Sequence, residues 1–175
     1  MVSEILKRSR DKGQAEKNKL KDVPCADCGR RFRSEVMCIY RLDKINTKPP
    51  SLVRSAKAVR KLMEYCVILC SNCSFIRYYN DNPLKIDKYV GYQKEDKDFL
   101  LRLKDKPCAI CGVQYHHAAM QFHHINPKNK IAQVPKLNSM KKRLEEASKC
   151  EILCANCHFT MEWNIKRPLE IMVSS

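Results

Sequence analysis

LKDVPCADCG, residues Leu20–Gly29, returns later in the chain as LKDKPCAICG at Leu103–Gly112, with eight of ten positions identical. A second stretch, CVILCSNC at Cys66–Cys73, returns as CEILCANC at Cys150–Cys157. The first and third cysteines of these motifs are separated by 45 residues in one copy and 46 in the other. Two ordered matches at nearly one offset indicate a tandem duplication.

Each copy supplies two Cys-x-x-Cys pairs, or knuckles. A tight turn with this spacing brings two thiolates to one ion, and zinc prefers four such ligands in a tetrahedron. The sequence therefore predicts two closed, structural Zn2+ sites that also help small modules to fold. Buried free thiols are the competing interpretation, which the paired spacing disfavours. The predicted ligands are Cys25, Cys28, Cys70, Cys73, Cys108, Cys111, Cys154 and Cys157.

The chain of 175 residues has 11 cysteines, an odd number that does not suit a secreted disulfide framework. Its start, MVSEILKRSR, has no apolar signal core, and no apolar run reaches membrane-spanning length. We therefore expect an intracellular protein of the cytoplasm or nucleus with no membrane partner, and a phage or viral source is compatible with that setting.

The charge balance is strongly basic, with 34 Lys and Arg against 19 Asp and Glu, a net of +15. Such a chain favours a polyanionic partner, because cationic side chains displace counterions from phosphates. The segment Gly29–Leu62 carries ten basic residues against two acidic ones. It is either a solvated face or a nucleic-acid surface. The predicted nucleic-acid contacts are Arg30, Arg31, Arg33 and Arg41.

Apolar spacing predicts a helix-rich α+β fold. Between its knuckles each copy is expected to have a helix, capped by Ser51 in the first copy and carrying Leu137 and Leu144 in the second. A short apolar strand or turn and then a short helix should follow, ending before Pro83 or Pro168. The predicted segments are a basic N-terminal helical segment (1–21), a first zinc module (22–82), a helical linker (83–106), a second zinc module (107–168) and a tail (169–175).

The second copy also reads MQFHHINP at Met120–Pro127 and LCANCH at Leu153–His158. This combination resembles the HNH (ββα-metal) endonuclease family, zinc-knuckle type, and the first copy repeats the frame in degenerate form. The resemblance implies small ββα-metal modules, in which two strands and a helix hold one catalytic divalent cation (Mg2+, Mn2+ or Zn2+). It implies that His123 binds this metal, that His124 is the general base, and that His158 is a further metal ligand.

Physical chemistry supports dividing the histidine pair in this way. Adjacent residues on a strand point to opposite faces, so His123 and His124 do not easily bind one ion together. Imidazole suits a base that deprotonates water near neutral pH. Glu162 lies one helical turn after His158, where the family often has another histidine, and is either an oxygen ligand or a solvated side chain. Two ordinary histidines on a half-buried strand are the alternative.

The first copy lacks every candidate catalytic group. The residues at the positions of His123, His124, His158 and Glu162 are Tyr40, Arg41, Ser74 and Tyr78. The predicted function is therefore a metal-dependent endonuclease that hydrolyses DNA rather than RNA, with one live site in the second copy and a basic, nucleic-acid-binding first copy. Cutting both strands would require a homodimer or two events. The alternative is an inactive zinc protein that binds nucleic acid, as in packaging, chromatin-like or ribonucleoprotein assembly.

Overall fold

The first knuckle of each copy is a tight turn closed by the same backbone bonds. The Cys25 N–H donates to the Arg30 carbonyl at 2.9 Å, and the Gly29 N–H donates to the Cys25 carbonyl at 2.9 Å. The second copy repeats the turn around Cys108 and Gly112. Both glycines have a φ of 69°, in the left-handed region that side chains with a Cβ rarely adopt. The identical turns therefore require glycine at this one position.

The computed structural model describes residues 2–43, 50–82 and 94–162. The fold is α+β, as predicted, with helices and two small antiparallel sheets. The helices are α1 (Val2–Leu20), α2 (Ala56–Leu62), α3 (Ser71–Asp81), α4 (Lys94–Lys104), α5 (Met140–Ala147) and α6 (Ala155–Glu162). The strands are β1 (Met37–Arg41), β2 (Cys66–Cys70), β3 (Met120–His124) and β4 (Cys150–Cys154).

Each sheet is a two-stranded antiparallel pair, β1 with β2 and β3 with β4. Met37 stands opposite Cys70 in the first pair, and Met120 stands opposite Cys154 in the second. The register is therefore the same in both copies, and each second strand ends on the third zinc cysteine. The apolar runs that predicted a strand or turn before the second knuckle are strands.

The chain divides into two units, one containing Met1–Ser74 and the other Phe75–Pro168. The core of the first unit is built on its sheet and on two cysteines of its knuckles. Its buried members are Cys25, Met37, Ile68, Leu69 and Cys70.

Helices α1 and α2 of the first unit pack against each other at a glycine. A Cβ on Gly13 of α1 would lie 1.6 Å from the Arg54 carbonyl oxygen, just ahead of α2. Val59 of α2 is fully buried. The two backbones therefore approach so closely that only glycine, which has no Cβ, fits at position 13.

In the second unit the helices surround the sheet. Helix α4 packs on β3, α5 packs on β4, and α6 packs on both strands. Ala119, Met120 and Leu153 are fully buried at the centre of this arrangement. Side chains from three helices can therefore reach the end of β3, where the histidine pair lies.

The helix caps differ in part from the prediction. Helix α2 begins after Ser55, whose hydroxyl accepts from the Ala58 N–H at 3.2 Å, so Ser51 as the cap was wrong. Ser51 lies instead in a 3-10 turn, Pro50–Leu52. Because Leu52 belongs to this turn, it lies outside the helix, which begins only at Ala56.

The predicted apolar face of the second copy's helix was also wrong in detail. Leu137 precedes α5, which is capped by Ser139, and Leu144 is 49% exposed. Arg143 and Glu146 are buried instead. Polar side chains are turned inward here because they serve hydrogen bonds, as described below.

Several predicted boundaries fall at the limits of the described chain. Helix α3 ends at Asp81, before Pro83 as expected, and α4 covers the described part of the predicted linker. The rest of that linker (83–93), the end expected before Pro168 and the tail (169–175) lie outside the described residues. Within the described ranges, no helix is both long and apolar enough to span a bilayer.

Candidate metal and catalytic site

The two predicted cysteine sets are brought together as predicted. Within each set the four sulfur atoms lie within 4.8 Å of one another. A tetrahedral zinc with Zn–S bonds of about 2.3 Å requires sulfurs about 3.8 Å apart, so each set has the right size and donors for one Zn2+. The two sets are Cys25, Cys28, Cys70, Cys73 and Cys108, Cys111, Cys154, Cys157.

The surroundings of the thiols determine how readily each one ionises. Four thiolates this close repel one another, so a cation bound between them would favour the charged form. The pKa of the Cys157 thiol is raised because it donates a hydrogen bond to the Cys154 sulfur and is buried. Burial raises the pKa of Cys111 to about 11. In the first set, the Cys70 N–H donates to the Cys25 sulfur at 3.2 Å and stabilises its thiolate.

The three remaining cysteines, Cys38, Cys66 and Cys150, lie outside both sets. All three are free thiols. Cys66 is buried, and the Cys150 thiol donates to the Glu146 carbonyl at 3.4 Å. They therefore serve packing rather than metal binding.

The candidate catalytic ligands meet across β3 and α6. The ring centroids of His123 and His158 are 5.1 Å apart, with an interplanar angle of 83°. Glu162 lies one turn beyond His158 on α6, and its Oε1 is 3.6 Å from the His158 Nδ1. Sequence positions 35 residues apart are thus joined because α6 packs on the strand pair.

His158 is the better enclosed of these ligands. Its side chain is 14% exposed, whereas that of Glu162 is 52% exposed. Burial lowers the pKa of His158, so the ring is neutral at neutral pH and keeps a lone pair. Among the described residues, none forms a hydrogen bond with its buried Nδ1. An unsatisfied buried nitrogen beside a second imidazole is consistent with a metal ligand, because coordination would satisfy it.

The side chains of His123, His158 and Glu162 do not gather around one point as the cysteine sulfurs do. Over the described ranges, only the two four-cysteine sets bring three or more donor atoms within 4.8 Å of one another. The donor atoms of His123, His158 and Glu162 therefore do not all meet at that spacing, and the catalytic cation expected from the sequence stays a prediction.

His124 faces the other way, as alternation along the strand predicts. Its ring is 7% exposed, and its Nε2 lies 2.8 Å from the Oε1 of Glu146 on α5. An ionised carboxylate only accepts hydrogen bonds, so the acceptor assigns the proton to Nε2. The Nδ1 lone pair is then left to accept a proton.

Glu146 is a fully satisfied buried carboxylate. Its Oε1 also accepts from the Ile131 N–H at 2.8 Å and the Ala132 N–H at 3.3 Å, and its Oε2 accepts from the Lys149 ammonium at 2.7 Å. The Lys149 bond is the main cause that lowers the pKa of Glu146 to about 2. Glu146 therefore stays ionised at neutral pH and ties the His124 ring to the loop after β3.

One cleft of about 900 Å³ lies beside the histidine pair. Rings of His123, His124 and His158 line it together with Glu162 and two lysines. The lysines are Lys104 on α4 and Lys130 on the loop after β3. A cleft with several imidazoles and cations suits a substrate that carries negative charge.

Glu146 is the site residue that the sequence did not reveal. The equivalent residue of the first copy is Leu62, so the repeat gives no signal. Helical periodicity gives no signal either, because Glu146 lies on the opposite side of α5 from Leu144, and it is the Glu146 side that is buried. A buried carboxylate needs hydrogen-bond partners, and His124 on the neighbouring strand is one of them.

The predicted nucleic-acid contacts separate into two kinds. Arg30, Arg31 and Arg33 are exposed, and the latter two form only loose pairs at 3.8 Å with Asp22 and Glu35. Such exposed ion pairs contribute little to stability. The two arginines can therefore exchange these carboxylates for a phosphate at little cost. This group of three therefore remains a candidate nucleic-acid surface, which we call the arginine patch.

Arg41 differs from the arginine patch. Its side chain is 17% exposed and forms a bidentate pair with Asp43, with one bond at 2.7 Å. It stands at the position of His124, and its partner carboxylate comes from its own strand end rather than from a helix. Arg41 therefore makes an internal structural contact.

No protein-family profile, curated protein or solved structure matches this chain.

Proposed function

We propose that the chain is a metal-dependent endonuclease that hydrolyses phosphodiester bonds in DNA, with one live site in the second unit. The meeting of His123 and His158 in a cleft that also holds the His124 ring carries the proposal. This arrangement combines two imidazole donors with a separately oriented base, which is what hydrolysis by an activated water requires.

His123 and His158 are the residues that would hold the divalent cation, with Glu162 as an oxygen donor. When bound, the cation would neutralise charge on the phosphate and the departing oxygen. The buried, unsatisfied Nδ1 of His158 supports this assignment, since it has the donor type and protonation state of a ligand. The resemblance to HNH endonucleases supports the same division of roles.

His124 would take the proton from water at Nδ1, while Glu146 holds the ring. Because the Nε2–H donates to the ionised Glu146, the ring is fixed in the tautomer that exposes a basic Nδ1. The carboxylate also stabilises the imidazolium that forms when the proton arrives. A base oriented by a third group is a recurring arrangement in enzymes that activate a nucleophile.

The first unit would bind the same polyanion without cutting it. It can hold its zinc but has Tyr40 and Ser74 at the positions of His123 and His158. Its arginine patch is exposed and weakly paired. We assign this unit to DNA binding.

Conversion of supercoiled plasmid tests the activity. Protein and plasmid are incubated with Mg2+, Mn2+ or Ni2+, and wild type is compared with His123→Ala, His124→Ala and His158→Ala. Wild type should yield nicked circles before linear DNA, because one site per chain cuts one strand at a time. Each variant should lose at least about 100-fold in rate, the usual contribution of a general base.

His116→Ala is the matched control, because this histidine lies outside the cleft, against the Tyr79 ring. It should nick like wild type. If wild type and His124→Ala leave the plasmid equally intact while both retard it on a gel, the nuclease proposal is wrong.

That outcome would favour the second candidate, a zinc protein that binds nucleic acid without cutting it. One observation favours it: the first unit keeps its cysteine set and strand register although its candidate catalytic positions hold other residues. The fold is therefore maintained in this chain where no such chemistry is available.

A further inference from the structure

Lys104, at the last position of α4, is a cation in the wall of the cleft. Its ammonium lies 5.8 Å from the centroid of the Phe122 ring on β3. The side chain is half-buried, and the same cleft holds the His123 and His158 rings. A positive charge thus lines the same cleft as the candidate metal ligands.

No acidic side chain of the described residues forms an ion pair with Lys104. The adjacent carboxylate, Asp105, accepts a hydrogen bond from Gln114 instead. Burial alone lowers the pKa of Lys104 to about 8, so the ammonium is still mainly protonated at neutral pH. The ring face offers only a weak attraction to the charge.

The equivalent lysine of the first unit has a different electrostatic environment. Lys21 is the equivalent lysine of the first unit, and burial lowers its pKa too. There the negative charge of the Glu35 carboxylate acts in the opposite direction. The residue equivalent to Glu35 in the second unit is Ala118. The unit with the candidate active site therefore keeps the buried lysine without that carboxylate.

A partly desolvated ammonium without a counter-ion is unfavourable, and an anion that enters the cleft would offset this cost. We propose that Lys104 is the centre of a phosphate-binding subsite, which takes a non-bridging oxygen of a phosphate group beside the histidines. The identity of that group as a DNA phosphodiester rests on the proposed function. The anion site itself rests on the position and missing partner of Lys104.

Lys104→Met separates this role from a structural one, because methionine keeps the apolar stem and removes the charge. Without added anions, the variant should melt at a higher temperature than wild type, since the desolvated charge is gone. Sodium phosphate or sulfate at millimolar concentration should raise the melting temperature of wild type and leave that of Lys104→Met unchanged. If Lys104 instead stabilised the fold, Lys104→Met would melt at a lower temperature than wild type without added anions.

Duplex binding provides the second readout, measured by fluorescence anisotropy with a labelled 25-mer over a range of NaCl, without added divalent cations and without chelators that would remove structural zinc. For Lys104→Met, the slope of log Kd against log salt should fall by about one ion. Lys104→Arg should retain the slope. Lys106→Met, which removes an exposed charge two residues away, is the matched control and should leave the anion-induced shift in melting temperature intact.

The outcomes distinguish the source of the phosphate and the two proposals. A stabilisation by inorganic phosphate that needs Lys104, with an unchanged duplex slope, would support a free-phosphate site. Loss of both effects in Lys104→Met supports a phosphodiester subsite, even if no variant or wild type nicks plasmid. If Lys104→Met keeps the wild-type slope and the wild-type stabilisation by phosphate, the inference is wrong, whereas nicking that depends on His124 would stand.

Discussion

The hydrogen bonds of one buried carboxylate decide how the candidate base is presented. Glu146 joins the His124 ring, two backbone amides of the loop after β3 and the Lys149 ammonium. Removing one partner from such a group leaves other polar atoms buried and unsatisfied, which costs more than an exposed bond is worth. Its effects should therefore appear in stability as well as in activity.

Glu146→Gln should lower the melting temperature at neutral pH and reduce plasmid nicking. The amide keeps the shape but loses the charge that Lys149 and His124 require. Rates and thermal unfolding measure the two effects. Glu145→Gln, which changes an exposed neighbour on the same helix, is the control and should resemble wild type. Equal melting temperatures for both variants would contradict the role assigned to Glu146.

The same carboxylate predicts a pH dependence. The pKa of Glu146 falls from 4.5 to about 2 on folding. A group with a depressed folded pKa contributes stability above its unfolded pKa and loses that contribution as the pH falls through the folded value. The gap in melting temperature between wild type and Glu146→Gln should thus be full above about pH 5 and should narrow between about pH 4.5 and 2. A gap that is constant over this range would contradict the assignment.

The contact of α1 with α2 depends on the absence of a side chain. In an isolated helix, alanine is favoured over glycine by about 1 kcal/mol. At Gly13 the added Cβ would lie 1.6 Å from the Arg54 carbonyl, which is backbone and cannot rotate away. Gly13→Ala should therefore destabilise the first unit despite the better helix propensity. Thermal unfolding measures this, with Gln14→Ala as the exposed control on the same helix.

The knuckles determine the metal content. Purified wild type should carry about two zinc ions per chain, and Cys111→Ser should carry about one, because a three-thiolate set binds zinc more weakly. Elemental analysis of the protein measures the ratio. Cys38→Ser is the control, since this thiol lies outside both sets, and it should keep both ions. A wild-type chain free of zinc after purification without chelators would contradict both metal sites.

The excess of positive charge acts over the full chain. Replacing the arginine patch, Arg30, Arg31 and Arg33, with alanine should weaken duplex binding and reduce the salt slope by about two to three ions. Arg41→Ala should change the slope little and lower the melting temperature, because its guanidinium is already paired with Asp43. Anisotropy titrations over a range of salt separate the two. If the salt slope of the triple variant equalled that of wild type, the assignment of the arginine patch as a DNA contact would be wrong.

The duplication explains how much of the fold could be predicted. Two nearly identical spacings predicted both cysteine sets, and the apolar runs before the second knuckles predicted a strand or turn where β2 and β4 lie. Helix starts were less predictable, because Leu52 fits the helical period of α2 although it lies in a separate turn. Periodicity detects a face but not the residue at which the chain enters the helix.

The candidate site was predictable only where a motif carried it. The histidine motifs pointed to His123, His124 and His158, and the structure brings the first and third together. Glu146 could not be found in the same way, because it comes from a helix whose charged residues look solvated in sequence. The pairing of Arg41 with Asp43 was equally hidden, since a positive charge in a basic run gives no sign of an internal partner.

The shared strand register has a practical consequence for engineering. Because Met37 and Met120 occupy the same rung of their ladders, each position of one sheet has a counterpart in the other. The missing groups could therefore be transplanted residue for residue, as Tyr40→His, Arg41→His, Leu62→Glu, Ser74→His and Tyr78→Glu. A chain rebuilt in this way would carry the same candidate catalytic groups in both units, and under the proposed function it should cut both strands of a plasmid where the natural chain cuts one.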